Sequence, residues 1–222
     1  MFDFAQARLF MIEGQIRTNE ITDPGIVSAM KSIPREDFVP ASWKTLAYSD
    51  HEIPLAEAGQ PGAARTMLTP MVLGKLLRAA DIKSTESVLH LGCGSGYGTA
   101  ILSRLARSVV AVDDEDIARG AAAHLEGLGL TNVSVVGGKL DAGQPEQGPY
   151  DVILIEGAVE VVPDALAEQL APEGRLVTIT GVGRSGQGTV YTRAGHGLSG
   201  FPKFGAAAPV LPAFAERREF VF

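Results

Sequence analysis

The chain has 222 residues, 45% of them hydrophobic, and sets 26 acidic side chains against 19 Lys and Arg for a formal net charge of −7. That length and apolar content suit one soluble α/β domain with appendages, while the acidic balance and the lack of a Lys/Arg-rich run argue against a nucleic-acid partner. Cys93 is the one cysteine, which excludes an intrachain disulfide and a cysteine-based metal site and points to a reducing cytoplasm.

The N-terminus, Met1-Phe2-Asp3-Phe4-Ala5-Gln6-Ala7-Arg8, lacks the basic start and apolar core of a secretion signal. No run approaches the roughly 18 consecutive apolar residues of a membrane span. From about Phe4 to Met30 the apolar spacing predicts two helices, with Thr22-Asp23-Pro24 as cap and first turn of the second. Pro34 and Pro40 close that region. Residues 47–70, with Pro54, Gly59, Pro61 and Gly62, read as irregular chain or short strands, a length of loop that often shapes a site. A helix is expected from Thr69-Pro70 to about Ala80, with Met71, Val72, Leu76 and Leu77 on its apolar face.

A βα alternation follows. It comprises strand Ser87–Leu91, helix Gly98–Ala106, strand Ser108–Val112, helix Asp116–Gly127, strands Val133–Val136 and Tyr150–Ile155, helix Pro163–Leu170 and strand Gly174–Thr180. Near-continuous apolar strands such as Val152-Ile153-Leu154-Ile155 suit a parallel sheet covered on both faces. Gly188–Arg193 and Lys203–Leu211 are weaker strand candidates at the far edge. The expected fold is α/β, a Rossmann-like doubly wound, mostly parallel seven-stranded sheet with an N-terminal helical extension. As one domain it divides into residues 1–80 (helices and substrate lip), 81–180 (cofactor core) and 181–222 (C-terminal strands).

The chemistry concentrates after the first of these strands, where Val88-Leu89-His90-Leu91 breaks into Gly92-Cys93-Gly94-Ser95-Gly96-Tyr97. Three alternating glycines let backbone N–H groups approach a nucleotide-like ligand; a tight turn without a ligand is the plain alternative. Tyr97 stands where a dinucleotide fingerprint has its third glycine, which favours S-adenosylmethionine over NAD. Asp113 closes the next strand 21 positions after Gly92, an offset that suits an acceptor for ribose hydroxyls. Asp114, Glu115 and Asp116 read as a solvated loop and helix N-cap. His51, His90, His124 and His196 form no metal-ligand spacing, and Gly94-Ser95-Gly96 lacks the frame of a nucleophile elbow, so neither a metal nor a serine nucleophile is expected.

With these residues in place the chain resembles the protein-L-isoaspartate O-methyltransferase family of class I S-adenosylmethionine-dependent methyltransferases. Ala29-Met30-Lys31-Ser32-Ile33-Pro34-Arg35-Glu36-Asp37-Phe38-Val39-Pro40 looks like the family's Pro-Arg and Phe-Val-Pro segment, and Ala47-Tyr48-Ser49-Asp50 matches its Ala-Tyr-x-Asp. The likeness runs from about Arg8 to Thr180 and is weaker beyond. It implies that His90, Gly92, Cys93, Gly94, Ser95, Gly96, Tyr97 and Asp113 bind S-adenosylmethionine. It also implies a substrate lip at Thr66–Pro70, with Thr66 and Thr69 as catalytic candidates and Met67, Leu68 and Pro70 touching substrate.

The chain departs from the family pattern at several positions. Leu68 stands where the family has a serine beside the transferred methyl, and losing a donor near a reacting group can cost roughly 2.7–4 kcal/mol. His90 replaces an acidic residue, Gly137-Gly138-Lys139 replaces Gly-Asp-Gly, and Glu156-Gly157-Ala158 replaces a Thr-Ala-Ala type of sequence. The implied substrate is an isoaspartyl protein or peptide. The departures leave open a small-molecule acceptor, or a non-catalytic S-adenosylmethionine-binding or interaction module.

Overall fold

The computed structural model describes residues 2–60, 62, 65–181, 183–194 and 197–216. Helix α1 (Phe4–Met11) begins at Asp3, whose carboxylate accepts from the Gln6 amide at 2.9 Å. It runs on through a π turn and a 3-10 turn to Asn19, and Glu20 reverses the chain with a left-handed φ of 61°. Helix α2 (Pro24–Ser32) starts as expected at Asp23, which accepts from the Ile26 amide, with Pro24 in the first turn.

Past Pro34 the chain takes only short 3-10 turns, at Arg35–Asp37 and Ala41–Leu46. Strands β1 (Ile53–Pro54) and β2 (Thr66–Met67) pair antiparallel, Ile53 opposite Met67. Helix α3 (Pro70–Ala80) turns Val72, Leu73, Leu76 and Leu77 inward.

The βα series comprises β3 (Ser87–Leu91), α4 (Tyr97–Leu105), β4 (Ser108–Asp113), α5 (Glu115–Glu126), β5 (Val133–Gly137), β6 (Tyr150–Val159), α6 (Asp164–Glu168), β7 (Leu170–Thr180), β8 (Gln187–Ala194) and β9 (Gly197–Gly205). The seven-stranded sheet has the order β5-β4-β3-β6-β7-β8-β9. Pairing is parallel from β5 to β7, and β8 and β9 add on antiparallel. Apolar side chains on both faces bury it: one layer joins Val88, Val152 and Leu154 to the N-terminal helices, the other joins Leu89, Ile153 and Ile155 to Leu166. The chain steps outward from β3 to β4 and β5, then returns to β6 on the other side of β3. A crevice therefore opens at the carboxyl ends of β3 and β6.

Three expectations are corrected. The helix expected over 163–170 is only Asp164–Glu168, because β7 starts at Leu170 instead of Gly174 to pair with Tyr150. β6 continues past Ile155 to Val159, since Ala158 exchanges bonds with the tail: its amide donates to the Pro209 carbonyl and its carbonyl accepts from the Leu211 amide. The strand expected over 203–211 lies at Gly197–Gly205, in hairpin register with β8, and residues 206–211 leave the sheet to cross the end of β6. Among the described residues no helix is long and apolar enough to cross a membrane.

Candidate active site

At the end of β3 the chain turns through Gly92, Gly94 and Gly96, with φ of 74°, 57° and 93°. The amides of Gly92 and Cys93 both point at the Val112 carbonyl of β4. Glycine is required at Gly92 on two counts: its φ is left-handed, and a Cβ there would lie 2.9 Å from a Leu211 methyl. Ser95 is buried, and its hydroxyl has no partner among the described residues. Its carbonyl accepts from His124 Nδ1 at 3.0 Å. Cys93 is buried, and burial pushes its thiol well above the usual value, so it is a packing residue and not a reactive one.

Asp113, at the end of β4, is fully buried. Its Oδ2 accepts from the Gly94 amide at 2.8 Å and from Arg65 Nη2 at 3.1 Å; its Oδ1 accepts from the Asp114 amide at 2.9 Å and from Arg65 Nη1 at 3.0 Å. A carboxylate offers about four lone-pair sites. All are used, and Arg65 holds two of them.

His90 is buried with both ring nitrogens engaged, Nε2 at 3.0 Å from Glu156 Oε2 and Nδ1 at 2.9 Å from Thr99 Oγ1. Glu156 was not among the expected site residues. The signal was an acid directly following the apolar run Val152–Ile155 at the carboxyl end of a parallel strand, where sites form. Tyr97 is a core ring: Phe38 meets it edge-on at 5.6 Å, the Arg35 guanidinium lies 4.8 Å over it, and burial pushes its hydroxyl up to about 12.

Arg35, also missed, is fully buried. It donates to the carbonyls of Ala47 (2.8 Å) and Leu68 (2.7 Å), clamping the lip from beneath. Burial lowers its pKa, with Tyr97 and Glu156 opposing.

The lip residues divide. Arg65, Thr66 and Leu68 line a cavity of about 120 Å³ together with Glu156, Gly157 and Leu211. Met67 turns into the core, and the Thr69 hydroxyl accepts from the Val72 amide as the N-cap of α3, with Pro70 buried at its first turn. Thr69 is thus spent on the helix, and Thr66 lines the cavity with its hydroxyl oxygen buried and without a hydrogen-bond partner among the described residues. Leu211 closes the opposite wall, so close to Gly157 that a Cβ there would lie 2.5 Å from its Cγ. A second cavity of about 370 Å³ lies beside Gly94 and Ser95, under Leu55 and against Ile117, Ala121 and His124. At the end of β5, Glu115 packs so near Gly137 that a Cβ there would lie 2.5 Å from its Oε2. An acid thus borders the Gly137-Gly138 turn, supplied by α5. Among the described residues no group of three His, Cys, Asp or Glu could hold a metal ion.

The family model for protein-L-isoaspartate(D-aspartate) O-methyltransferase matches residues 7–204. Protein-L-isoaspartate O-methyltransferase 2 of Pelobacter propionicus is 38% identical over 187 residues, 84% of this chain and 80% of the relative. The protein-L-isoaspartate O-methyltransferase of Koribacter versatilis is 40% identical over 179 residues, 80% of this chain and 78% of the relative. The chain belongs to this family. A solved protein-L-isoaspartate O-methyltransferase superposes with a TM-score of 0.79 at 26% identity over 92% of this chain, which spans 65% of that longer one. A Plasmodium falciparum chain solved in complex with S-adenosyl-L-homocysteine shares the fold, with a TM-score of 0.75 at 16% identity over 91% of this chain and 97% of that one. The family match takes in the stretch beyond Thr180, where the likeness read from sequence is weaker, and runs through β8 into β9.

Proposed function

We propose that this chain transfers the methyl group of S-adenosylmethionine to the carboxylate of an isoaspartyl residue in damaged protein. The observation that carries the reading is the Gly92–Gly96 turn lying against the buried carboxylate of Asp113 at the switch point of the sheet. Family membership and relatives of that name support the acceptor.

The residues fit a nucleoside ligand, with one exchange. The turn supplies a narrow, backbone-walled approach, and Asp113 supplies an acceptor for ribose hydroxyls. Because Arg65 takes two of the four acceptor sites, hydroxyls reach Asp113 by replacing it. When bound, the sulfonium supplies an electrophilic methyl carbon with a neutral thioether as leaving group.

The chain's own task is then positioning. An isoaspartyl carboxylate is already ionised at neutral pH, so it needs orientation and a dry approach more than proton removal. The 120 Å³ cavity between the lip and the tail provides that setting. Thr66 lines it with its hydroxyl buried, so that oxygen reaches an acceptor only after the lip shifts, and Leu68, Val210 and Leu211 exclude water.

Leu68 favours a second reading, a different acceptor. It is buried and apolar where the family resemblance implies a serine. Transfer of labelled methyl to an isoaspartyl peptide, set against its aspartyl isomer, tests the proposal. Selective transfer supports isoaspartyl repair. S-adenosylhomocysteine binding without selective transfer supports the second reading.

A further inference from the structure

Glu156 has no part in the transfer described so far. It directly follows Ile155, which pairs with Leu91 across the switch point, so it faces the first glycine of the turn: a Cβ on Gly92 would lie 3.5 Å from its carbonyl oxygen. Among the described residues lining the 120 Å³ cavity it is the one carboxylate. Its side chain is 8% exposed.

One of its oxygens is aimed. Oε2 accepts from His90, His90 is held in turn by Thr99, and Gly98 leaves the room that a Cβ would fill. The other, Oε1, has no hydrogen-bond partner among the described residues. That oxygen is not sealed from solvent, so a donor entering the cavity can reach it, and a charge-assisted hydrogen bond there is stronger than a neutral one. Arg65 is committed to Asp113, and Arg35 donates to the carbonyls of Ala47 and Leu68 and keeps its buried Nη1 without a partner; among the described residues neither donates to Glu156. The missing complement is a small cation entering the cavity.

We propose that Glu156 accepts the α-ammonium of bound S-adenosylmethionine, with His90 and Thr99 as positioning residues that hold its carboxylate. The proposal rests on the cofactor reading above. Asp113 at the end of β4 and Glu156 on β6 flank the glycine turn, so a ligand whose ribose met Asp113 and whose amino-acid end followed the turn would reach Glu156. Recognition is then split between two buried acids, one for each end of the molecule.

The test compares two ligands by calorimetry on the full chain: S-adenosylhomocysteine, which carries the ammonium, and 5′-methylthioadenosine, which lacks the amino-acid end. Glu156→Gln keeps the size and an acceptor oxygen but removes the charge. It is expected to weaken S-adenosylhomocysteine by about 10- to 100-fold, the range of one charge-assisted bond, and to leave 5′-methylthioadenosine within about twofold. Equal loss for both ligands, or no loss for either, overturns the proposal. If the unaltered chain binds neither ligand, the cofactor reading falls and takes this proposal with it. Thr99→Val, which frees His90 without removing the charge, is the second variant should the first fail to fold. Its expected loss is several-fold and confined to S-adenosylhomocysteine, and an equal loss for both ligands counts against the assignment.

Discussion

Replacing Arg65 by Met separates what holds the crevice together from what the ligand needs. The Arg65 side chain is 13% exposed and Asp113 not at all, and the guanidinium supplies two of the four hydrogen bonds to that carboxylate. Removing one partner of a buried pair costs about 3–5 kcal/mol. Asp113 keeps two backbone amides, so the cost falls at or just below the low end of that range, about 2–3 kcal/mol. For a chain of this size each kcal/mol moves Tm by roughly 2–4 °C, which places the expected fall at about 5–10 °C. Ligand binding moves the other way. Ribose hydroxyls no longer displace a charged partner, and even half of the lost pairing energy returned to binding is about a tenfold gain in affinity. Calorimetric titration with S-adenosylhomocysteine, paired with thermal melts at several ligand concentrations, measures both quantities, because ligand stabilisation grows as RT ln(1 + [L]/Kd). A variant of R65M that melts lower and binds no better refutes the idea that arginine and ribose compete for Asp113.

Leu68→Ser restores a hydroxyl beside the cavity; isoaspartyl methylation per folded enzyme is expected to rise at least about tenfold, against a stability cost of about 2–4 kcal/mol for the emptied volume, read by urea unfolding. His90→Glu alone sets two buried carboxylates side by side and is expected to destabilise by about 3 kcal/mol or more. Adding Glu156→Thr is expected to recover most of that loss, and additive effects in the cycle argue against coupling of the two sites. Glu86 is held below the usual carboxylate range chiefly by hydrogen bonds from Arg175. Its stabilising contribution is therefore present above its unfolded value of about 4.5 and is lost as pH falls through the folded one, so Arg175→Met is expected to flatten the decline of the urea midpoint below pH 5.

Local rules made most of the fold legible. Asp23-Pro24 and Thr69-Pro70 start helices through bonds three residues away, and the apolar runs of β3, β4 and β6 sit in a sheet covered on both faces as their pattern implies. Asp113 was legible because a strand end and a glycine turn fix its place together. Arg65 was not, since its partner lies 48 positions away and no local pattern announces an ion pair of that span. The Thr66–Pro70 lip shows the competition most plainly. Two hydroxyls were expected there, but the Thr-Pro pair that starts α3 also consumes the Thr69 oxygen. The tail was misplaced because β9 ends at Gly205, and the stretch after it bonds the end of β6 through Pro209 and Leu211 instead of extending the hairpin.

The distribution of charge in the crevice follows from one requirement: a carboxylate at a strand end between packed faces must be matched by donors. Asp113 meets it within the chain, through two amides and Arg65. Glu156 meets it by half, through His90. On the proposed cofactor reading the two acids contribute differently to affinity. At Asp113 a ligand gains only the difference between its own hydroxyls and the guanidinium it displaces, whereas at Glu156 it supplies a donor that the chain does not. Binding is a weak exchange at one end of the crevice and a net gain at the other. On this reading, discrimination between S-adenosylhomocysteine and shorter adenosine thioethers resides at the carboxyl end of β6, and the glycine turn between the two acids sets the shape that both ligands must share.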